Sequence, residues 1–246
     1  MDLKALKGEF DRNGYVMLSQ FISEDRSREL QAKVEEFIRV SVPTMPPEHV
    51  FYENDQDNTS LKQLFHLSDY DPYFHQLIHG SIFEELAEVL LGEKMKKRFV
   101  EYFNKPARSG KPTPPHQDGY YFKLTPPQAI TFWIPLEEVN QENGCLRYVK
   151  GSHLHGLRPH GRTATLGFSQ GITDYGIPSD LTYEAPMPVD VGDVLVHHAM
   201  TIHRADQNKS LTRSRRVLAL VYFGASAVED IVSKADYQKE LLAAKK

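Results

Sequence analysis

Several short runs of the sequence carry different sets of side chains at alternate positions, and this pattern constrains the fold most. In residues 215–223, Arg215 shares one face with valine and alanine, whereas Arg216 shares the other with leucine and tyrosine. A period of two residues is typical of a β-strand, in which successive side chains point to opposite faces. Residues 96–104 and 128–136 alternate in the same way. We therefore predict strands in all three runs.

Two potential metal ligands, His116 and Asp118, are separated by one residue in a run that we predict to be a strand edge. In a strand, both side chains would point to the same side and Gln117 would point away. An imidazole and a carboxylate suit a divalent first-row metal, and two histidines with one carboxylate are the ligand set of non-haem Fe(II) oxygenases. This hypothesis requires a second, distant histidine.

The second histidine has three candidates at the far end of a later strand. A Gly192-Asp193 turn precedes an apolar run, and His197, His198 and His203 follow. The residues alone leave the choice among the three histidines open.

An anion-binding residue is predicted from the alternation of residues 215–223. Arg215 shares its face with the small residues Val217, Ala219 and Val221. An arginine beside small side chains is well placed to receive an anion in a cavity, and its planar guanidinium suits bidentate binding of a carboxylate. Arg215 is therefore the candidate carboxylate-binding residue.

Four blocks of the sequence together resemble the phytanoyl-CoA dioxygenase family. They are the His116-x-Asp118 pair, residues 142–153 (ENGCLRYVKGSH), the stretch from Gly192 to His203, and Arg215. The resemblance extends in ordered blocks from Gly14 to Phe223 and is specific to the family rather than to one member. It implies a mainly β fold with flanking helices, namely a double-stranded β-helix, which is a cupin-like jelly roll.

The resemblance also implies an activity. Family members are oxygenases that depend on Fe(II) and 2-oxoglutarate and use O2, with ascorbate as the reductant in vitro. The chain would then be a dioxygenase that hydroxylates an aliphatic C–H bond of a small polar or charged molecule, with succinate and CO2 as co-products. The retained Asp118 favours hydroxylation, because halogenating relatives lack this carboxylate.

The resemblance further implies roles for individual residues. The segment around His203 looks like the family's distal-histidine segment, which favours His203 over His197 and His198 as the third metal ligand. A lysine similar in position to Lys62 contacts 2-oxoglutarate in family members, and a tryptophan similar in position to Trp133 packs against it. The predicted site thus has three metal ligands and three co-substrate contacts: His116, Asp118 and His203, then Arg215, Lys62 and Trp133.

Three residues are predicted substrate contacts. The alternation of residues 96–104 places Glu101 on a face with two phenylalanines, but the pattern leaves open which face enters the cavity. On the inner face, Glu101 would favour a substrate with an amine or quaternary ammonium; on the outer face it would form an ordinary salt bridge. Tyr120, which follows the predicted metal pair, and Arg158, which would suit an anionic group, are the other two.

The chain is predicted to be a single domain, 1–246, because 246 residues with 40% hydrophobic content can bury one core. Its parts would be bracing helices within 1–92, a jelly-roll core at about 96–223 and a helical tail at 228–246. Ser23 and Ser81 are predicted helix N-caps, and Gly92 is a predicted helix end.

Composition argues against several other classes of protein. The formal net charge is −4 and basic residues are scattered, which argues against nucleic-acid binding. The single cysteine, Cys145, excludes an intramolecular disulfide. The charged N-terminus and the lack of a long apolar run predict a cytoplasmic protein without membrane association. We expect a small-molecule substrate and no obligate protein partner.

Two alternatives to the oxygenase remain at the level of the sequence. One is a non-catalytic, cupin-like protein that binds metal or 2-oxoglutarate, or acts as a sensor. The other is a metal-dependent hydrolase or isomerase on the same barrel, which would need neither Arg215 nor 2-oxoglutarate.

Overall fold

The computed structural model describes residues 1–54, 56–165 and 168–234. Its α-helices are α1 Leu3–Asn13, α2 Glu24–Val40, α3 Leu67–Tyr70, α4 Pro72–Ile78, α5 Ile82–Leu91, α6 Asp118–Phe122 and α7 Pro178–Tyr183. Its strands are β1 Tyr15–Leu18, β2 Val50–Tyr52, β3 Leu61–Leu64, β4 Met95–Lys105, β5 Thr113–His116, β6 Leu124–Thr125, β7 Ala129–Pro135, β8 Leu146–Val149, β9 His160–Thr165, β10 Phe168–Ile172, β11 Glu184–Met187, β12 Val194–His198, β13 His203–Ala205, β14 Arg215–Gly224 and β15 Val228–Glu229. The predicted tail thus begins with a strand, and its residues 235–246 lie outside the described part.

Helices α2 and α5 begin at predicted capping residues, and α5 also ends at one. The Ser23 side chain accepts a hydrogen bond from the backbone N–H of Arg26 at the start of α2. At the start of α5, Ser81 accepts one from the backbone N–H of Glu84. Helix α5 ends at Gly92, which has the left-handed conformation (φ 76°) that favours glycine. The predicted caps are therefore confirmed.

Two antiparallel sheets form the centre of the described structure. The larger has seven strands in the order β1-β12-β7-β14-β4-β3-β2, and the smaller has four in the order β11-β8-β13-β5. Neighbouring strands are often distant in sequence, as where β14 lies between β4 and β7. This arrangement, with helices flanking the larger sheet, is the predicted double-stranded β-helix.

The N-terminal 92 residues contain more than bracing helices. Strand β1 pairs with β12 at one edge of the larger sheet, and β3 and β2 extend the other edge beyond β4. The boundary that we predicted between helices and jelly-roll core therefore does not coincide with a boundary of the sheet.

The larger sheet has one face towards the helices and one towards the smaller sheet, as the alternation predicts. In β7, Ile130, Phe132 and Ile134 belong to the apolar core that also includes residues of α2 and α5. Trp133 packs on the opposite face with residues of the smaller sheet, and Thr131 lines a cavity there. None of the helices in the described ranges has both the length and the apolar character needed to cross a lipid bilayer.

Replacing Phe132 with alanine is expected to lower the free energy of unfolding by about 3–5 kcal/mol. The ring is fully buried, and its centroid lies 5.7 Å from those of Phe83 and Tyr222. Urea denaturation followed by circular dichroism measures the change. Met17→Ala is the control, because this strand residue is 43% exposed and should change stability by only about 0.5 kcal/mol. Equal losses in the two variants would contradict this account of the core.

Candidate active site

Three potential metal ligands lie together on the smaller sheet and the start of α6. His116 ends β5, His203 begins β13, and the two residues are opposite each other in the antiparallel register. Oδ1 of Asp118 is 3.6 Å from Nε2 of each histidine. The donor atoms of the three residues all lie within 4.8 Å of one another, and no other such group of three occurs among the described residues. The structure thus brings the three predicted ligands together.

The backbone at this point differs from the predicted strand edge. Strand β5 ends at His116, and Asp118 is the first residue of α6, so a single strand does not carry both. Gln117 between them is extended (φ −122°, ψ 128°), so the side chains still alternate in direction. Its amide points away and donates to the carbonyls of Gly156 and Met200. The predicted strand is wrong at Asp118, but the predicted side-chain directions are confirmed.

Backbone carbonyls orient the two histidine rings. A carbonyl oxygen can only accept a hydrogen bond, so the proton of each ring lies on Nδ1. Nδ1 of His116 donates to the Pro114 carbonyl at 2.8 Å. Nδ1 of His203 donates to the Thr201 carbonyl at 3.0 Å. Each Nε2 is therefore the unprotonated, metal-binding nitrogen.

The two oxygens of Asp118 have different partners. Oδ2 accepts hydrogen bonds from the Thr131 hydroxyl at 3.0 Å and from Nε2 of His197 at 3.1 Å. Nδ1 of His197 is in turn bonded to the Tyr148 hydroxyl at 2.8 Å. These bonds fix the carboxylate so that Oδ1 faces the two histidines. Outer partners of this kind orient ligands and strengthen metal binding.

Burial and neighbouring groups set protonation states that suit metal binding. Burial lowers the pKa of His116, and it lowers the pKa of His203 well below its ordinary value, so both rings are neutral at neutral pH. Burial alone would raise the pKa of Asp118, but His203 and His197 outweigh this effect and hold the pKa well below its usual range. Two neutral imidazoles and one ionised carboxylate match the donor set of facial-triad Fe(II) sites, so these residues fit such an ion.

The three side chains line a cavity of about 440 Å³ that also contains buried basic residues. Arg215 and Lys105 are cross-strand neighbours in β14 and β4, and Lys62 lines the same cavity. The guanidinium carbon of Arg215 lies 5.3 Å from the ring centroid of Trp133. Within the described ranges, Nε of Arg215 has no hydrogen-bond partner. Burial lowers the pKa of Arg215 to about 10, so the side chain still carries its charge at neutral pH.

The other two basic residues have partners within the chain. Nζ of Lys62 is 3.0 Å from Oε1 of Glu53, and both side chains are almost fully buried. Nζ of Lys105 donates to the carbonyl of Lys111. Burial lowers the pKa of Lys62, and burial with the charge of Arg215 lowers that of Lys105 further. An added anion would favour the charged forms of both lysines.

The structure determines which face of β4 lines the cavity. Glu101 lines it with Phe99 and Phe103, whereas Val100 and Tyr102 pack in the core that faces the helices. Of the two orientations that the sequence leaves open, the structure shows the inward one, and the alternative of an outer salt bridge is wrong. Burial raises the pKa of Glu101 to about 8.

Two predicted substrate contacts, Tyr120 and Arg158, do not line this cavity. The Tyr120 ring stacks on His160 with centroids 4.3 Å apart, and Tyr121 lines the cavity instead. Successive residues of a helix point about 100° apart, so α6 directs only one of the two tyrosines inward. The Arg158 guanidinium is bonded to Asp180 at 2.8 Å and to a second aspartate, so its charge is already balanced.

Several residues of the site were not predicted from the sequence. Lys105 continues the inward face of Glu101 two positions beyond Phe103, but the predicted strand ended one residue too early. Thr131 shares the face of Trp133, so the alternation of β7 could have identified it. Nothing in the sequence pattern pointed to Tyr148, because its contact with His197 joins two sheets.

Comparison with known proteins supports the same class. The family model described as phytanoyl-CoA dioxygenase matches residues 10–217. The peroxisomal phytanoyl-CoA dioxygenase of Mus musculus is 29% identical over 242 residues, which cover 88% of this chain and 67% of that protein.

Two solved structures share the fold. EvdO2 from Micromonospora carbonacea var. aurantiaca, complexed with 2-oxoglutarate, is 25% identical with a TM-score of 0.68, and the match covers 92% of this chain and 91% of that one. The epimerase SnoN, in complex with Fe3+, alpha ketoglutarate and nogalamycin RO, is 22% identical with a TM-score of 0.73, with coverage of 92% and 85%. Fold and site together define a 2-oxoglutarate-dependent, non-haem iron dioxygenase. The chain belongs to the phytanoyl-CoA dioxygenase family.

Thr131→Val is expected to weaken binding of a divalent metal by about 10- to 100-fold, because Oδ2 of Asp118 loses a hydrogen-bond donor. Calorimetric titration with Mn(II) measures the affinity. Thr182→Val is the matched control, since its hydroxyl donates to the Pro178 carbonyl in α7, away from the cavity. Unchanged Mn(II) affinity in Thr131→Val would show that this bond does not support the metal site.

Proposed function

We propose that the protein hydroxylates an aliphatic C–H bond of a small polar or charged molecule and converts 2-oxoglutarate and O2 into succinate and CO2. One observation carries the proposal. A single cavity contains both the group of His116, Asp118 and His203 and the buried charge of Arg215. The first suits Fe(II), and the second suits the distal carboxylate of 2-oxoglutarate. A hydrolase or isomerase would not need the buried arginine.

The metal would be held by Nε2 of His116, Oδ1 of Asp118 and Nε2 of His203. With three protein ligands, a bound metal would remain accessible to the co-substrate and to O2. The bound iron supplies the oxidation chemistry, which no protein side chain provides. Because Oδ2 of Asp118 is bonded to Thr131 and His197, the carboxylate is positioned to offer one oxygen.

Arg215 would bind the distal carboxylate of 2-oxoglutarate. Its guanidinium is buried and charged, and its Nε lacks a hydrogen-bond partner within the described ranges. A bound carboxylate would accept hydrogen bonds from this guanidinium and so replace those that it loses to water on burial. Trp133 lies against the guanidinium and would restrict the position of the bound anion. Lys105, beside Arg215 in the sheet, would add a second positive charge.

Lys62 is the second proposed contact for 2-oxoglutarate. It lines the cavity, but Glu53 already pairs with it at 3.0 Å. The co-substrate would therefore compete with Glu53 for this ammonium group or share it. We expect Lys62 to contribute less to co-substrate affinity than Arg215, which has no acidic partner among the described residues.

The side chain of Asp118 also bears on the outcome of the reaction. A carboxylate that occupies a metal position leaves no place there for a halide, which favours hydroxylation of the substrate. The Tyr121 ring contacts His116, and Phe99 and Phe122 line the same cavity, so these aromatic residues would help to exclude water from it. The principal alternative is a binding or sensor protein that holds metal and 2-oxoglutarate without turnover.

Arg215→Ala is expected to slow the formation of succinate by at least about tenfold when 2-oxoglutarate is limiting, because charge-assisted hydrogen bonds to its carboxylate are lost. The measurement uses purified protein with Fe(II), ascorbate, O2 and 2-oxoglutarate. Arg216→Ala is the matched control, since the neighbouring arginine faces away from the cavity and binds Glu137.

The native protein and Arg216→Ala should form succinate at similar rates. Equal rates in Arg215→Ala would refute the role of Arg215. Binding of 2-oxoglutarate by the native protein, without succinate under any substrate tested, would instead favour the binding or sensor protein.

A further inference from the structure

Glu101 is an acidic residue in the middle of an otherwise apolar part of the cavity wall. It lies on β4 between Phe99 and Phe103, which share its face, and opposite Ala219 of β14. Glu101 and Ala219 both line the cavity. Glu101 is therefore directed at whatever molecule occupies this part of the site.

No residue in the described ranges forms a hydrogen bond or ion pair with Glu101, although several cations line the same cavity. Apart from Arg215, which we assign to the co-substrate, those cations have partners within the chain. Lys97 and Lys234, at the cavity, both pair with Glu229. Lys62 pairs with Glu53.

An unpartnered carboxylate in such a place is unfavourable for folding unless it serves a ligand. Burial and the charge of Asp118 raise the pKa of Glu101 to about 8, so the ionised form is disfavoured at neutral pH unless a positive charge lies nearby. A cation beside Glu101 would offset both effects.

The aromatic surroundings also suit a cation. The rings of Phe99 and Phe122 lie 6.1 Å apart at an angle of 85°, and both line the cavity with Glu101. The face of an aromatic ring attracts a cation, and the attraction is strongest where water is excluded. A carboxylate combined with aromatic rings favours an organic ammonium over an anion at this part of the cavity wall.

We propose that Glu101 binds a positively charged nitrogen of the substrate, so that the substrate class is a small aliphatic amine or ammonium compound. This inference rests on the proposed function in one respect: the charged nitrogen would anchor the substrate so that a nearby C–H bond lies at the metal site. The alkyl part of the substrate would contact Phe99 and Phe122.

The test is calorimetric binding of three probes of equal chain length, n-pentylammonium, 1-pentanol and pentanoate. It uses the full-length protein with Fe(II) and 2-oxoglutarate under nitrogen, and in parallel the protein without them. The native protein should bind n-pentylammonium about tenfold more tightly than 1-pentanol, and pentanoate most weakly. Glu101→Gln, which keeps the shape and removes the charge, should abolish the preference for the ammonium while leaving 1-pentanol binding unchanged.

Glu48→Gln is the matched control, because this exposed residue lies at the rim of the same cavity and loses the same charge. It should bind all three probes as the native protein does. Three results would overturn the proposal. They are no measurable binding of n-pentylammonium, tighter binding of 1-pentanol or pentanoate than of n-pentylammonium, and a preference for n-pentylammonium that remains in Glu101→Gln. The titrations without Fe(II) and 2-oxoglutarate test the role of Glu101 independently of the proposed function. Failure of Fe(II) or 2-oxoglutarate to bind to the protein would contradict the proposed function but not the role of Glu101.

Discussion

The site depends on the different partners of the two carboxylate oxygens of Asp118. Oδ1 of Asp118 faces two imidazole nitrogens, while Oδ2 is bonded to Thr131 on the larger sheet and to His197 on the next strand. Because His203 and His116 belong to the smaller sheet, Asp118 links both layers of the jelly roll. A shift of one sheet against the other would therefore separate the two histidines from the residues that orient Asp118.

The distribution of charge along the cavity follows from the strand pairing. Arg215 and Lys105 are cross-strand neighbours at one end of the β14–β4 pair, and Glu101 lies four residues back along β4 on the same face. Side chains two apart on a strand share a face, so one strand pair carries a basic region and an acidic region within a single cavity. This polarity offers separate places to an anionic co-substrate and a cationic substrate.

Much of the structure could be predicted from local patterns, since alternation depends only on strand geometry. It correctly assigned the two faces of β7 and β14 and placed Arg215 beside small residues in the cavity. It also predicted that His116 and Asp118 point the same way, although a helix and not a strand carries Asp118.

The remaining features depend on contacts between distant residues, which a pattern does not contain. The inward face of β4 was undetermined until the sheet order placed it between β14 and β3. The choice of Tyr121 over Tyr120 depends on the rotation of α6. The pairing of Arg158 with Asp180 could not be predicted, because Asp180 is 22 residues away in sequence and lies in α7.

The binding of 2-oxoglutarate with and without Mn(II) tests the central claim most directly, because the claim is that three side chains hold one metal at which the co-substrate binds. Calorimetry would compare the native protein with His203→Ala and with His198→Ala, a histidine whose Nδ1 accepts a hydrogen bond from the backbone of Met200 at 3.1 Å. We expect metal-dependent binding in the native protein and in His198→Ala, and loss of binding in His203→Ala. Native affinity for Mn(II) and 2-oxoglutarate in His203→Ala would contradict it.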